Sequence, residues 1–465
     1  MTSLLAADVA GLSSPRRPLA PRSAFLVILL CWFIVVFDGY DLIVYGTTLP
    51  LVMAEPGWHL DAATAGFMGS LAFAGMLVGA LLAGDLADRL GRRRTILWAT
   101  LWFSVFTALI FFAPNREMFG LLRFVSGVGL GGLVPSANAL TAEFIRDKHR
   151  SAVSTIMMSG VPIGGSLAAL LGLVLLPHPG WRYMYAAAFA AVVVLLPLCY
   201  AFLPESPTWL RAHGRLEDAE RVEAQFGVEP STAEVLHEIE TAFEGEGEME
   251  TPHLVGLRAV LSRKWLLATI LYAVATVATL FAWYGLGTWL PKLMGSDAHF
   301  HALMPNPLFF LLALNLGAVL GSVLTAWAGI VFGPIRSSVI SALAAAIGLG
   351  YLITYPSHAW LVVGALVLAG VGTHGTQCLI IAAVASHYPA RLRGTALGFA
   401  LGMGRIGAVL APLVGGWLLV GTHNNVASNF AAFGGAAALA ALLLWVTSIA
   451  TRPVSRKVVT GTIGH

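Results

Sequence analysis

CWFIVVFDGYDLIVYGTTLP (residues 31–50) is long and apolar enough for a membrane-crossing helix, yet two aspartates, Asp38 and Asp41, stand near its middle. A spanning helix needs about 20 mainly apolar residues. A carboxylate placed in hydrocarbon costs roughly 2.5–3.5 kcal/mol on insertion scales. Three residues apart, the two side chains share one helical face. Such a pair is kept where it points at partners or water, so its first reading is a proton or substrate site. The plainer alternative is an ion pair that only fixes helix packing.

The rest of the chain agrees with a membrane setting. Of 465 residues, 57% are hydrophobic and 11% charged, with mean hydropathy +0.80. Soluble domains carry about 25% charged residues. The sequence therefore predicts an all-α polytopic membrane protein with twelve spans, at 24–54, 61–84, 95–113, 117–142, 151–176, 182–203, 265–291, 306–331, 335–354, 359–387, 393–419 and 427–450. The first 23 residues carry Arg16, Arg17 and Arg22 and read as a cytoplasmic tail, with no cleavable leader. Cys31, Cys199 and Cys378 all fall in apolar segments and read as small buried hydrophobes.

Charge placement sets the expected orientation. With both termini inside, 22 of the 27 basic residues fall in inner segments, while Arg116, Arg182 and Lys292 fall outside. Arg123 and Arg405 alone are left within helices. The organisation expected is a tail (1–23), a six-helix bundle (24–203), a hydrophilic cytoplasmic linker (204–264), a second six-helix bundle (265–450) and a C-terminal tail (451–465). RLEDAERVEAQF (215–226) in the linker has helical charge spacing.

The two bundles repeat. RSAVSTIMMSGVPIGG (150–165) lies over RGTALGFALGMGRIGA (393–408) at an offset of 243 residues, and GRRR (91–94) over GPIR (333–336) at 242. Parallel repeats enclosing a midplane site are a transporter device. The copies differ in charge: GDLADRLGRRR (84–94) carries Asp85, Asp88, Arg89, Arg92, Arg93 and Arg94, whereas WAGIVFGPIR (327–336) keeps only Arg336.

Gly84-x-x-x-Asp88-Arg89-x-Gly91-Arg92-Arg93 resembles the loop signature of the major facilitator superfamily. Gly91 permits a tight turn, Asp88 can sit at a helix end, and the arginines are expected to pair across the gap between the halves. The plain alternative is positive-inside anchoring alone. Within the superfamily the chain resembles the aromatic acid:proton symporters along nearly its whole length. The resemblance rests on DGYD (38–41), RFVSGVGLGGLVPSANALTAEF (123–144), WYGLGTWLP (283–291) and YPARLRGTALGFALGMGRIGAVLAP (388–412). It implies import of an aromatic carboxylate with protons by alternating access, in a bacterial inner membrane, by a monomer without cofactor, for use in aromatic catabolism. The proton is then the coupling ion and the substrate and the bilayer are the partners, with no nucleic acid.

Residue roles follow from that frame. A carboxylate in a low-dielectric cavity needs a cation, and the planar fork of arginine suits it. Arg405 is the candidate for substrate, while Arg123, in the same half as DGYD, can neutralise Asp41. Asp38, Asp41 and Arg123 are the expected proton-coupling group. His374 and Gln377, three apart in the tenth span, can meet a ring hydroxyl or carboxylate, although the family usually has another residue at 374 and a lone helical histidine is often only packed. Trp283, Tyr284 and Tyr45 are candidates for stacking on a substrate ring. Glu143, with Arg146 and Arg150, is expected in an inner gate network.

A sugar porter shares the arginine loop and the PESP stretch (204–207), but a neutral sugar needs no buried cation. A non-aromatic acid such as muconate is the other alternative within transport. No GxSxG, HExxH or Walker loop and no Cys/His metal spacing occurs, which leaves an enzyme without support.

Overall fold

The computed structural model describes residues 23–145, 147–178, 180–228 and 256–451, and among them every regular element is helical. Twelve helices are long and apolar enough to cross a membrane. In chain order they are α1 (Ala24–Met53), α2 (Ala62–Leu90), α3 (Arg92–Phe112), α4 (Arg116–Glu143), α5 (Val153–Leu175) and α6 (Trp181–Phe202). The second half holds α7 (Leu266–Ser296), α8 (Leu308–Val331), α9 (Pro334–Leu352), α10 (Ala359–His387), α11 (Leu392–Gly421) and α12 (Val426–Ala450). Of the linker, short helices at Pro207–Ala212, Leu216–Phe226 and Leu257–Val260 are described.

Local chemistry sets the helix ends. Asp61 caps α2 by accepting from the Thr64 backbone N–H at 2.8 Å, and its hydrogen bonds to Thr64 hold the carboxyl below the usual range. Asn115 caps α4 through Met118 N at 2.9 Å. Gly91, at φ 93°, separates α2 from α3, and Gly333, at φ 86°, separates α8 from α9. The same left-handed turn thus recurs at the two positions aligned by the internal repeat.

Packing follows the repeat as well. In the first half α1 lies on α5 and α2 on α4; in the second, α7 lies on α11 and α8 on α10. Small residues make these approaches possible in a setting where van der Waals contact drives helix association. Gly75, Gly79, Gly127 and Gly131 bring α2 and α4 so close that an added Cβ would strike the facing backbone. The halves meet through α2 with α11, α5 with α8, and α1 with α7.

That meeting is tightest at one end. Gly46 of α1 touches the backbone of Gly287 in α7, and Gly66 of α2 touches Pro412 in α11. Pro50 and Pro291 lie four residues after Gly46 and Gly287, and a helical proline removes the hydrogen bond to that carbonyl. Toward the arginine-rich end the contact is lost. Gly402 and Gly398 share the α11 face of Arg405 by helical spacing, and a Cβ on either would meet nothing within 4 Å. The two halves are closed at the α1–α2 and α7–α8 end and apart at the other.

Two expectations change. The 84–94 motif is almost entirely helical: α2 continues to Leu90, because Gly91 alone makes the turn and Asp85 supports the last turn by bonding Arg89 at i,i+4. Likewise α7 runs through Pro291 to Ser296 rather than ending there.

Candidate functional site

Asp41 lies wholly inside the first half. Its Oδ1 accepts from Thr107 Oγ1 of α3 at 2.5 Å. Arg123 of α4, with no exposed surface, brings Nη1 to 3.7 Å from Asp41 Oδ2 and donates to the Asp41 carbonyl at 3.2 Å. The guanidinium also covers the Tyr45 ring, 5.2 Å from its centroid. Tyr45 is fully committed: its hydroxyl donates to Ala65 O at 2.6 Å and its ring packs beside Gly69 and Phe119. It therefore belongs to the Asp41–Arg123 cluster and not to a ring-binding surface.

Asp38, one turn back on α1, is 2% exposed and its Oδ1 has no hydrogen-bond partner among the described residues. The cation acting on it is Arg405 of the opposite half, and both charges act on the hydroxyl of Tyr284. Arg405 is only half-buried and its recorded polar contact is with Met76 Sδ of α2 at 3.8 Å. No carboxylate pairs with it among the described residues.

Aromatic and polar groups from both halves surround that cation. Tyr284 packs against Phe73 of α2 at 4.6 Å between centroids. Trp283 lies 5.3 Å from the His374 ring, and His374 Nε2 meets the Met158 carbonyl of α5 at 3.2 Å. Gln377 is 6% exposed, with its Oε1 unpaired. The structure thus brings Asp38, Arg405, Trp283, Tyr284 and His374 to the boundary between halves, and leaves Asp41, Arg123 and Tyr45 behind it.

The arginine-rich end is a network within the first half. Arg92 pairs with Glu143 and donates to Ala139 O at 3.1 Å. Glu143 Oε2 accepts from Ser206 Oγ at 2.7 Å, and Glu205 Oε1 accepts from the Arg93 backbone N–H at 2.9 Å. Arg93 also donates to Tyr200 O at 2.6 Å, and Trp209 Nε1 to Asp88 O at 2.7 Å. The Asp85–Arg89 pair is exposed at the tip, and Gly84 is open on every side. The partners named here for Arg92 and Arg93 lie in the first half and in the linker segment 204–209. Arg146 and the side chain of Arg150 lie outside the described residues.

Several partners had weak or no signal in the sequence. Thr107, Phe73, Met76 and Met158 are residue types found in any apolar helix. Glu205 and Trp209 were visible in the PESPTWL stretch, but nothing there said they would dock on the α2–α3 turn.

The family model of the Major Facilitator Superfamily matches residues 31–330 and 309–463. Among curated proteins, a gentisate transporter of Corynebacterium glutamicum is 49% identical over 424 residues, 90% of this chain and 86% of the relative. The chain belongs to the Major Facilitator Superfamily, in its aromatic acid branch. A benzoate transport protein of Acinetobacter baylyi is 34% identical, covering 84% of this chain and 83% of its own length. A partially occluded inward-open structure of the xylose transporter XylE from E. coli matches with TM-score 0.71 at 19% identity, covering 91% of this chain and 97% of that one. That likeness carries the fold alone. Members of this superfamily are transporters rather than enzymes.

Proposed function

We propose that this chain imports a small aromatic carboxylate together with protons across a bacterial inner membrane, as a monomer working by alternating access. The observation that carries the reading is Arg405: a half-buried cation at the boundary of the halves, flanked by Tyr284, with no carboxylate paired to it. A substrate carboxylate supplies the missing partner, and its ring has Tyr284, Trp283 and Phe73 to lie against. The relatives named above, a gentisate and a benzoate transporter, fit that chemistry.

Coupling follows from charge. Asp38 and the substrate carboxylate are like charges near one cation, so protonating Asp38 removes a negative charge that repels the substrate. Proton and substrate then bind together, because each is bound better when the other is present. Asp41 and Arg123 form the second coupling pair, in which protonation of Asp41 loosens α1 from α4. With basic residues inside, the open end faces the cytoplasm, and the docked linker belongs to that inward-facing state. Closing it requires the face around Gly398 and Gly402 to approach α2.

The test is uptake of labelled gentisate, benzoate, 4-hydroxybenzoate, phenylpropionate and glucose into proteoliposomes, with and without an inward proton gradient. Gradient-stimulated accumulation of an aromatic acid, with none of glucose, supports the reading. Glucose uptake, or aromatic-acid movement indifferent to the gradient, overturns it.

A further inference from the structure

The buried face of α3 carries a row of hydroxyls. Thr95, Thr100, Ser104 and Thr107 are each at most 2% exposed. Thr95 returns its hydroxyl to its own helix, at Gly91 O, 2.8 Å away, and Thr107 gives its own to Asp41. Thr100 Oγ1 and Ser104 Oγ have no hydrogen-bond partner among the described residues. That is unusual in this protein, where Thr48, Ser70, Thr276, Thr279 and Ser322 all bond the carbonyl one turn back. An unpaired buried hydroxyl costs about 1–3 kcal/mol.

The same interior leaves Asp41 Oδ2, 3.7 Å from Arg123 Nη1, and Arg123 Nε and Nη2 without a hydrogen bond among the described residues. Five polar atoms of one helix bundle core therefore require partners that the described residues do not supply. Buried water is the usual partner, and it needs two to four polar neighbours to be held. The spacing suits it. Thr107, Ser104 and Thr100 follow at intervals of three and four, so neighbouring side chains on that face stand about 5–6 Å apart. Two O–H···O bonds of about 2.8 Å span that distance with one water between.

We propose that Thr107, Ser104 and Thr100 hold a chain of waters inside the first half, and that this chain carries the proton between Asp41 and the arginine-rich end. The inference rests on Asp41 being a proton-coupling group. The route runs behind the boundary where the substrate binds, so proton and substrate leave by separate paths. Thr107 to Thr100 covers about 10 Å of helix, and the remaining stretch of about 12 Å from Thr100 to Arg92, at 1.5 Å per residue, is carried by further waters entering from the arginine-rich end, since Thr95 keeps its hydroxyl proton on Gly91 O.

The step conserves protons at every site. Protonated Asp41 gives up its O–H proton to the first oxygen of the chain. Each hydroxyl or water accepts one proton on one side and releases one on the other, and solvent at the arginine-rich end receives the last. Asp41 is left as a carboxylate facing Arg123, which compensates its charge.

The test separates proton movement from substrate movement in proteoliposomes. Thr100→Val with Ser104→Ala removes both hydroxyls, and Thr100→Ser with Ser104→Thr keeps them as the folding control. Two rates are read with labelled gentisate: accumulation driven by a proton gradient, and exchange with unlabelled gentisate at equal pH on both sides, which needs no net proton release. The expected result is loss of gradient-driven accumulation with retained exchange in the first variant, and both rates as in the wild type in the second. Equal loss of both rates, or unchanged accumulation, would overturn the water chain while leaving the transport function standing. A wild type that exchanges gentisate but ignores the gradient overturns the proton coupling and the chain with it.

Discussion

Arg123 holds Asp41 from two sides, with Nη1 3.7 Å from Oδ2 and 3.2 Å from the Asp41 carbonyl oxygen. Both residues lie within one half, so this pair joins α1 to α4 and not one half to the other. Arg405 stands opposite Asp38 with nothing of that kind. One arginine is committed and the other is available, and the predictions below turn on that difference.

Removing Arg123 strands a buried carboxylate. Breaking a buried pair from one side costs about 3–5 kcal/mol, so Arg123→Ala is expected to lower the melting temperature of the purified protein and its yield in the membrane. Asp41→Asn in that background removes the stranded charge and restores both. Thermal unfolding followed by size-exclusion fluorescence checks this, and no recovery in the double variant would mean that the pair does not matter to stability.

Asp41→Asn alone has a different signature. The side chain keeps its size and its bond to Thr107 but no longer takes up and releases a proton. Accumulation against a gradient is expected to vanish while equilibrium exchange continues. Retained gradient-driven accumulation in this variant would remove Asp41 from coupling.

Arg405→Ala separates charge recognition from ring recognition. A hydrogen bond to a charged group is worth about 1.5–3 kcal/mol, which is roughly 10–100-fold in affinity at 1.4 kcal/mol per decade. Binding of an aromatic carboxylate is expected to weaken by that much, and binding of the matching amide hardly at all. Calorimetry in detergent reads both; equal losses would make Arg405 a packing residue.

The sequence carried the fold more fully than the site, for a physical reason. Twelve apolar runs are forced by the bilayer, and the offset near 242 residues reappears as the paired turns at Gly91 and Gly333. Asp38, Asp41, Arg123 and Arg405 were legible because each is costly where it sits. The partners that give them meaning were not. Thr107 looks like any threonine in an apolar helix; the pairing of Arg123 with Asp41 was expected from their sharing one half, whereas setting Arg405 opposite Asp38 depends on which helices pack together. Docking of Glu205 on the Arg93 backbone was not legible in the linker, because it is a tertiary contact without periodicity.

That docking makes the α2–α3 turn a test of its own. Gly91 has φ 93°, and a Cβ there would also run into the Glu205 carboxylate. With ψ 158° this is a backbone region reserved for glycine, and strain there costs an L-residue roughly 1–3 kcal/mol. Gly91→Ala is expected to lower the melting temperature and slow uptake, with Glu205→Ala relieving the collision but not the backbone strain. A Gly91→Ala protein as stable and active as wild type would mean that the turn relaxes freely.

The closed end offers the last test, through Gly46. Its Cα lies against the Gly287 backbone across the boundary of the halves, where the two proline-interrupted helices cross. No side chain fits there while this end is shut. Gly46→Trp should therefore hold the halves apart at this end and exclude the conformation described above. Transport stops because alternation stops, yet Arg405, Tyr284 and Asp38 are untouched and substrate binding is expected to persist. Ser70→Cys, a near-isosteric change at a side chain that is 3% exposed and donates to Val409 O across the boundary in the closed state, should become reactive to a water-soluble maleimide in the Gly46→Trp protein and stay protected without it. Equal labelling in the two backgrounds would show that the contact between Gly46 and Gly287 does not decide which end is open.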